Sequence, residues 1–514
     1  VHNKLLSAAE AVALIKDGQT IAIQGAGGGV AEPTALLRAL GERFRQTAQP
    51  RELTLYHATG LGDRKEIGTD YLAQAGLVRR DIAGHLGMAP KMARMISNNE
   101  MESYNLPQGV MSQLYSAIAA RQPGVLTKIG LHTYIDPRLE GGRMNRITTE
   151  DLVRVVTFDG EEWLYYPRLR MDVAFVRGTT ADVRGNVTSE EEAAIHEGIS
   201  IAQAVRACGG IVIAQVKYLA QAGTLDPRLV KIPGVCVDYV VVDPDQKQTC
   251  LHDYNPAFTG QVKIPLERIA PLPLDERKII ARRAAAELFA GAVVNLGVGV
   301  PSGVASVATE EGLIDQITFT VEHGIVGGMP AGGVIFGVAY NPEAIIEQDK
   351  QFNFYDGGGV DVAFLGMAQM DAAGNVNVSK VGDMLTGCGG FINISQSAKK
   401  VVFCGTLTAK GLQVAAGEGR LTLVREGSVA KLVAQVDQIT FSARNALAAQ
   451  QEVLYVTERA VFALTPTGVM LTEIAPGVDL QRDVLDQMGF VPQIADPLPT
   501  MQPALFRESL GGGA

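Results

Sequence analysis

Asp172-Val173-Ala174-Phe175, Asp182 and Gly185-Asn186-Val187 recur as Asp361-Val362-Ala363-Phe364, Asp371 and Gly374-Asn375-Val376. The offset is a constant 189 (361 − 172, 371 − 182, 374 − 185), and eight of sixteen ungapped positions are identical. Each copy reads as a buried strand, a loop and a Gly-Asn turn, so one structural unit is used twice. Residues 16–29 form a strand that closes on glycines ahead of a helix-like stretch at 32–45, and residues 289–301 repeat that order before a second helical run. Past each repeated block, 210–214 and 400–404 add a further strand preceded by a helical segment. Such alternation predicts an α/β fold: two homologous open domains with largely parallel sheets, fused in one chain. The expected division is an N-terminal domain at 1–264, a proline-stiffened linker at 265–274 and a C-terminal domain at 275–514, with 510–514 a frayed, Gly-rich end. From Gly loop to repeated Asp the first copy runs 147 residues (172 − 25) and the second 64 (361 − 297), so the N-terminal domain carries a large insertion.

Composition narrows the function classes. Of 514 residues 47% are hydrophobic, 19% charged and 6% aromatic, with 57 Gly spread as loop punctuation, as in a globular protein with many tight strand-to-helix turns. A net charge of −10 argues against nucleic acid as a partner, because that needs a basic footprint. Five Cys (Cys208, Cys236, Cys250, Cys388, Cys404) make no CxxC pair, so neither disulfides nor a metal site is expected. Val1-His2-Asn3-Lys4 opens without a leader-like pattern, and the uncharged stretch 290–308 carries Asn295, Pro301 and two Ser. The expectation is a cytoplasmic protein with no membrane span.

Within the second copy, Ile317-Thr318-Phe319-Thr320-Val321-Glu322-His323-Gly324 delivers a single carboxylate at the end of a β-branched run, straight into glycines. A carboxylate there can cap a helix or pair with a Lys. It can also act as a nucleophile, since burial strips its water and destabilises its charged form. His323 is assigned a structural role, because neighbours on a strand face opposite ways. Gly25-Ala26-Gly27-Gly28-Gly29-Val30 is neither a dinucleotide fingerprint, whose third Gly would fall on Val30, nor a phosphate loop with G-K-[ST]. It remains a turn whose amides can face an anion or a developing oxyanion. Gly387-Cys388-Gly389-Gly390 offers a second backbone cradle, in which Cys388 reads as packing rather than as a nucleophile.

Taken together, Glu322-His323-Gly324, Gly297-Val298-Gly299-Val300-Pro301, Gly387 to Gly390 and Leu106-Pro107-Gln108-Gly109 resemble the coenzyme A transferases that use a glutamate nucleophile. Gly130-Leu131-His132-Thr133-Tyr134-Ile135-Asp136-Pro137-Arg138, followed by Gly141-Gly142-Arg143, is similar to the branch acting on short-chain acyl-CoAs such as acetyl- and propionyl-CoA. Glu-His-Gly departs from the Glu-Asn-Gly of ketoacid-specific relatives, which speaks against a succinyl or acetoacetyl preference.

The resemblance implies that Glu322 attacks an acyl-CoA and passes through a glutamyl-CoA thioester, with ping-pong exchange onto a free carboxylic acid. It implies that Gln108 donates a hydrogen bond to a reacting carboxyl oxygen. Gly27, Gly28 and Gly29 become oxyanion donors, and Gly297, Val298, Gly299, Gly387, Gly389 and Gly390 line the CoA path. The site is expected at the domain interface. No cofactor is permanently bound, coenzyme A being substrate and covalent intermediate; the partners are the acyl-CoA, the acid and further copies of the chain in a dimer or tetramer. Two other readings stay open: an acyl-CoA hydrolase, and a non-enzymatic ligand-sensing module on the same fold.

Overall fold

The computed structural model describes residues 4–266 and 271–508. Residues 267–270 of the expected linker, the first three residues and the Gly-rich end from 509 lie outside the described residues. The chain divides into two compact units. One is built from the chain up to Ile264 together with Val321–Phe354 and Asp383–Asn393; the other takes Pro265–Thr320, Tyr355–Gly382 and the chain from Ile394 onward. The carboxylate-bearing turn, expected with the C-terminal half, is thus part of the first unit.

In the first unit a seven-stranded parallel sheet contains β1 (Thr20–Ile23), β2 (Leu53–His57), β3 (Val78–Ala83), β4 (Glu102–Asn105), β5 (Val173–Arg177), β6 (Ile211–Val216) and β7 (Tyr239–Val242), in the order β7-β6-β5-β1-β2-β3-β4. Every residue of β2 and β5 is buried, as a sheet covered on both faces requires. The order reverses between β1 and β5, so the crevice at their C-terminal ends, where the Gly25 to Gly29 turn begins, is the natural ligand position of such a sheet. The insertion between β4 and β5 contains a separate antiparallel sheet of Gly124–Thr127, Arg154–Phe158 and Glu161–Pro167.

The second unit repeats the plan. Its strands β8 (Val293–Leu296), β9 (Thr318–Val321, all but its last residue in this unit), β10 (Val362–Gly366), β11 (Lys400–Cys404) and β12 (Glu452–Val456) are parallel in the order β12-β11-β10-β8-β9. An antiparallel extension follows, β13 (Ala460–Thr465) and β14 (Gly468–Ile474). Among the described residues no helix is long and apolar enough to cross a membrane.

The repeated aspartates explain why these letters survive in both copies. Asp172 Oδ2 accepts the Thr20 amide at 3.0 Å, and Asp361 Oδ2 accepts the Val293 amide at 2.9 Å, each pinning the neighbouring strand in register. Asp182 Oδ1 accepts the Arg184 and Asn186 amides at 2.9 and 3.0 Å while Asn186 Nδ2 donates to its Oδ2. Asp371 does the same with Ala373 and Asn375. Between them sit Gly185 (φ +87) and Gly374 (φ +89), in a backbone region that L side chains avoid. These are side-chain-closed turns on a buried acceptor, and losing one such bonded carboxylate costs about 1–3 kcal/mol.

Asp182→Ala and Asp371→Ala are therefore each expected to lower the unfolding free energy by that amount near neutral pH, read as a lower urea midpoint at unchanged m. Burial alone would raise the Asp182 pKa, but bonds from Asn186 and Arg184 outweigh it and hold it below the usual carboxylate range. A depressed folded pKa contributes stability above the unfolded value of about 4 and loses it as pH falls through the folded value. The gap between wild type and Asp182→Ala should accordingly shrink in melts at about pH 3; a gap independent of pH would show that the carboxylate charge plays no part.

Candidate active site

β9 ends at Val321, and the next three residues turn: the Gly324 amide donates to Val321 O at 3.1 Å and Gly324 O accepts from Ile346 at 2.8 Å. Gly324 has φ +97, and a Cβ there would collide with the Ile346 carbonyl, so this turn demands glycine. Glu322 is only 9% exposed, and among the described residues no hydrogen bond or ion pair engages its carboxylate. His323 lies in the turn rather than on the strand, so alternation of faces does not place it. Its Nδ1 lies 3.2 Å from the Gly337 carbonyl, and its ring lies 5.2 Å from that of His196.

Gln108 opens the helix Gln108–Ala119 and is buried. Its amide donates to Gly389 O at 3.0 Å, and the Gly389 amide donates to Gly84 O at 2.7 Å, so the Gly387 to Gly390 cradle is stitched onto the ends of β3 and β4. Asn105 is the clasp. Its Oδ1 accepts the Cys388 amide at 2.8 Å and the Tyr134 hydroxyl, and its Nδ2 donates to Ala83 O and Gly84 O, each at 2.7 Å. The Gly130 to Arg138 motif thereby acts through Tyr134 on the cradle. Cys388 is buried with its thiol pushed up to about 12 by that burial, which leaves no thiolate at neutral pH.

Val321, Ala26 and Val30 share one apolar cluster with Ala193, Ala194 and Ile335, which sets the Gly27 to Gly29 turn and the residue just before Glu322 on common packing. One expected donor is removed: the Gly28 amide is engaged by Gly62 O at 2.7 Å, a partner 34 residues away that spacing does not reveal. Gly297, Val298 and Gly299 follow β8 in the second unit; the Gly297 amide is likewise engaged, by Phe364 O at 2.7 Å, and Val298 is exposed.

A polar network that the sequence reading missed runs beside Gln108. Gln108 Nε2 donates to Gln348 Oε1 at 3.1 Å, Gln348 Nε2 donates to the Ser112 hydroxyl at 2.7 Å, and His196 Nδ1 meets the same Gln348 Oε1 at 3.2 Å. Burial pulls the His196 pKa down to about 3 and the His85 pKa to about 4, so both rings are neutral. Burial, with Asp349 nearby, raises Glu197 to about 8, and burial raises Glu32 to about 7. Arg138 is held by Asp136 and Glu162 and Arg143 by Asp151, so neither guanidinium is a free cation.

Residues 5–243 match the family model of coenzyme A transferase. The chain is 50% identical to caffeate CoA-transferase of Acetobacterium woodii over 99% of this chain and 98% of that protein. It is 45% identical to the acetate CoA-transferase YdiF of Escherichia coli K12 over 99% and 96%. A crystal structure of the acyl-CoA transferase YdiF from E. coli O157:H7, in a thioester complex with CoA, superposes with a TM-score of 0.95 at 44% identity, over 100% of this chain and 98% of that one. A bare strand-end glutamate, a Pro-Gln-Gly helix start with its Gly cradle, and full-length similarity to named transferases agree: the chain belongs to the coenzyme A transferase family.

Proposed function

We propose that this CoA-transferase, which moves coenzyme A between an acyl-CoA and a carboxylic acid, works through Glu322 as a covalent nucleophile. The observation that carries the reading is a nearly buried carboxylate with no partner among the described residues, held at a strand end by a glycine turn. A paired carboxylate would be a poor nucleophile; an unpaired one is reactive and already desolvated. Glu322 attacks the thioester carbonyl and expels CoA thiolate, forming an acyl-glutamyl anhydride. The thiolate attacks the glutamyl carbonyl, releasing the first acid and leaving a glutamyl-CoA thioester. The second acid attacks that thioester to form a new anhydride and thiolate, and the thiolate then takes the acyl group, restoring Glu322. Thioester energy is retained only while water is kept from both intermediates.

Gln108 supplies a hydrogen bond to the reacting carboxyl oxygen, and the amides of Gly27 and Gly29 and the cradle at Gly387, Gly389 and Gly390 serve oxyanion and CoA. Gly297, Val298 and Gly299 belong to the CoA path in this reading, with no permanent cofactor. The covalent organisation is two halves, 1–264 and 275–514, joined by 265–274. The substrates are short-chain monocarboxylic acyl-CoAs such as acetyl- and propionyl-CoA: residues 319–330 contain no Lys or Arg, and Arg138 and Arg143 are already paired, so a second carboxylate would be buried without a counter-ion. Five free cysteines suit a reducing cytoplasm, and we place the enzyme there as a homo-oligomer.

Incubation with acetyl-CoA followed by peptide mapping is expected to find CoA on Glu322, and Glu322→Ala should lose turnover without losing its fold. An adduct on Cys388 instead would overturn the assignment. Initial-rate plots at several acceptor concentrations should be parallel, since the first acid leaves before the second binds; intersecting lines would mean a ternary complex. Specificity constants for acetyl- and propionyl-CoA should exceed that for succinyl-CoA by about tenfold or more, and a preference for succinyl-CoA would mean that a cation elsewhere reaches the acyl group.

A further inference from the structure

Gln348 is the first residue of the helix Gln348–Asp356, fully buried, and the junction of four hydrogen bonds. Its own amide donates to His196 O at 3.3 Å, its Oε1 receives both Gln108 Nε2 at 3.1 Å and His196 Nδ1 at 3.2 Å, and its Nε2 donates to Ser112 Oγ at 2.7 Å. In this arrangement Gln108 Nε2 and His196 Nδ1 share one acceptor, and the opposite end of the carboxamide meets the Ser112 hydroxyl. His196 then carries its proton on Nδ1, because a carbonyl oxygen only accepts, and its buried Nε2 has no partner among the described residues.

The consequence falls on Gln108. One of its two side-chain N–H groups is committed to Gln348, and its Oε1 lies over Gly389, 3.5 Å from where a Cβ on that glycine would stand. A carboxamide with one N–H anchored has its plane and its second N–H fixed in direction; one without an anchor rotates about its last torsion at little cost. We propose that Gln348 is a positioning residue of CoA transfer: it never touches substrate, and it acts by aiming the free N–H of Gln108, with Ser112 and His196 holding it in place. The inference rests on the catalytic role given to Gln108 above.

Because Gln348 acts through Gln108, its removal should matter only while Gln108 is present. Gln108→Ala is expected to lower kcat by about 10- to 1000-fold. Gln348→Met, close in volume and without hydrogen-bonding groups, should lower kcat by about 10-fold or more with the KM for acyl-CoA within about threefold of wild type, and the double variant should be no slower than Gln108→Ala. Gln348→Glu keeps an acceptor for Gln108 and His196 and should recover most of the kcat lost in Gln348→Met, a rescue that a purely architectural role would not give. It also serves as the folded probe should Gln348→Met melt early. Losses that multiply in the double variant, an unchanged kcat in Gln348→Met, or a Gln348→Glu that folds but is no faster than Gln348→Met would each overturn the proposal. Wild-type kcat in Gln108→Ala, with the Glu322 adduct still forming, would instead remove the role of Gln108 on which it stands.

Discussion

A strand-end carboxylate, nearly buried and engaged by no hydrogen bond or ion pair among the described residues, is the constraint around which the proposed site is arranged. Left to itself such a group either takes up a proton or recruits a cation. Around Glu322 the Val321 to Gly324 turn closes on Ile346 so tightly that only glycine fits, and the chain from Phe319 to Pro330 carries no Lys or Arg. In the proposed mechanism the stability forgone at Glu322 is the reactivity gained, and the packed apolar cluster of Val321, Ile325, Ala26 and Val30 holds the turn that carries it.

The same logic explains the polar groups that accompany it. Histidines 196 and 85 are held neutral by burial, and the amides of Gln108 and Gln348 and the Ser112 hydroxyl are dipoles rather than ions. A neutral donor can favour charge that develops on an acyl oxygen without neutralising a carboxylate beforehand, which is what a differential stabiliser has to do. The guanidiniums that sequence alone left available, Arg138 and Arg143, are bound to Asp136, Glu162 and Asp151, and their work is architectural.

What the sequence could show follows from range. Strand periodicity, the duplicated Asp and Gly-Asn letters and the glycine-flanked Glu322 are local patterns, and each has a local cause in the structure: an aspartate bonded two and four residues ahead, a glycine at positive φ. The network through Gln348 joins residues 240, 236 and 152 positions apart, and no window of sequence contains it. The same holds for Gly28, whose amide is taken by Gly62, and for the grouping of Val321–Phe354 with the first compact unit, since the chain order of a duplicated protein does not say which segments pack together.

Duplication also sets the proposed nucleophile beside its counterpart position in the other copy. The paired aspartates equate Thr20 with Val293; strand pairing then equates their partners, Thr54 and Thr318. Counting four residues on from each, Ala58 in one copy stands where Glu322 stands in the other, and two further on Gly60 matches Gly324. The glycine that ends the turn is present in both copies, and the carboxylate in one. In the copy without it, the strand end is closed by structure: His57 Nε2 lies 3.0 Å from Asp81 Oδ1 and its Nδ1 2.6 Å from Thr59 O, a buried pair with no free charge. One strand-end turn thus serves two ends, a hydrogen-bonded His57–Asp81 corner in the first copy and the carboxylate of the proposed nucleophile in the second, and the two differ by the single side chain at that position.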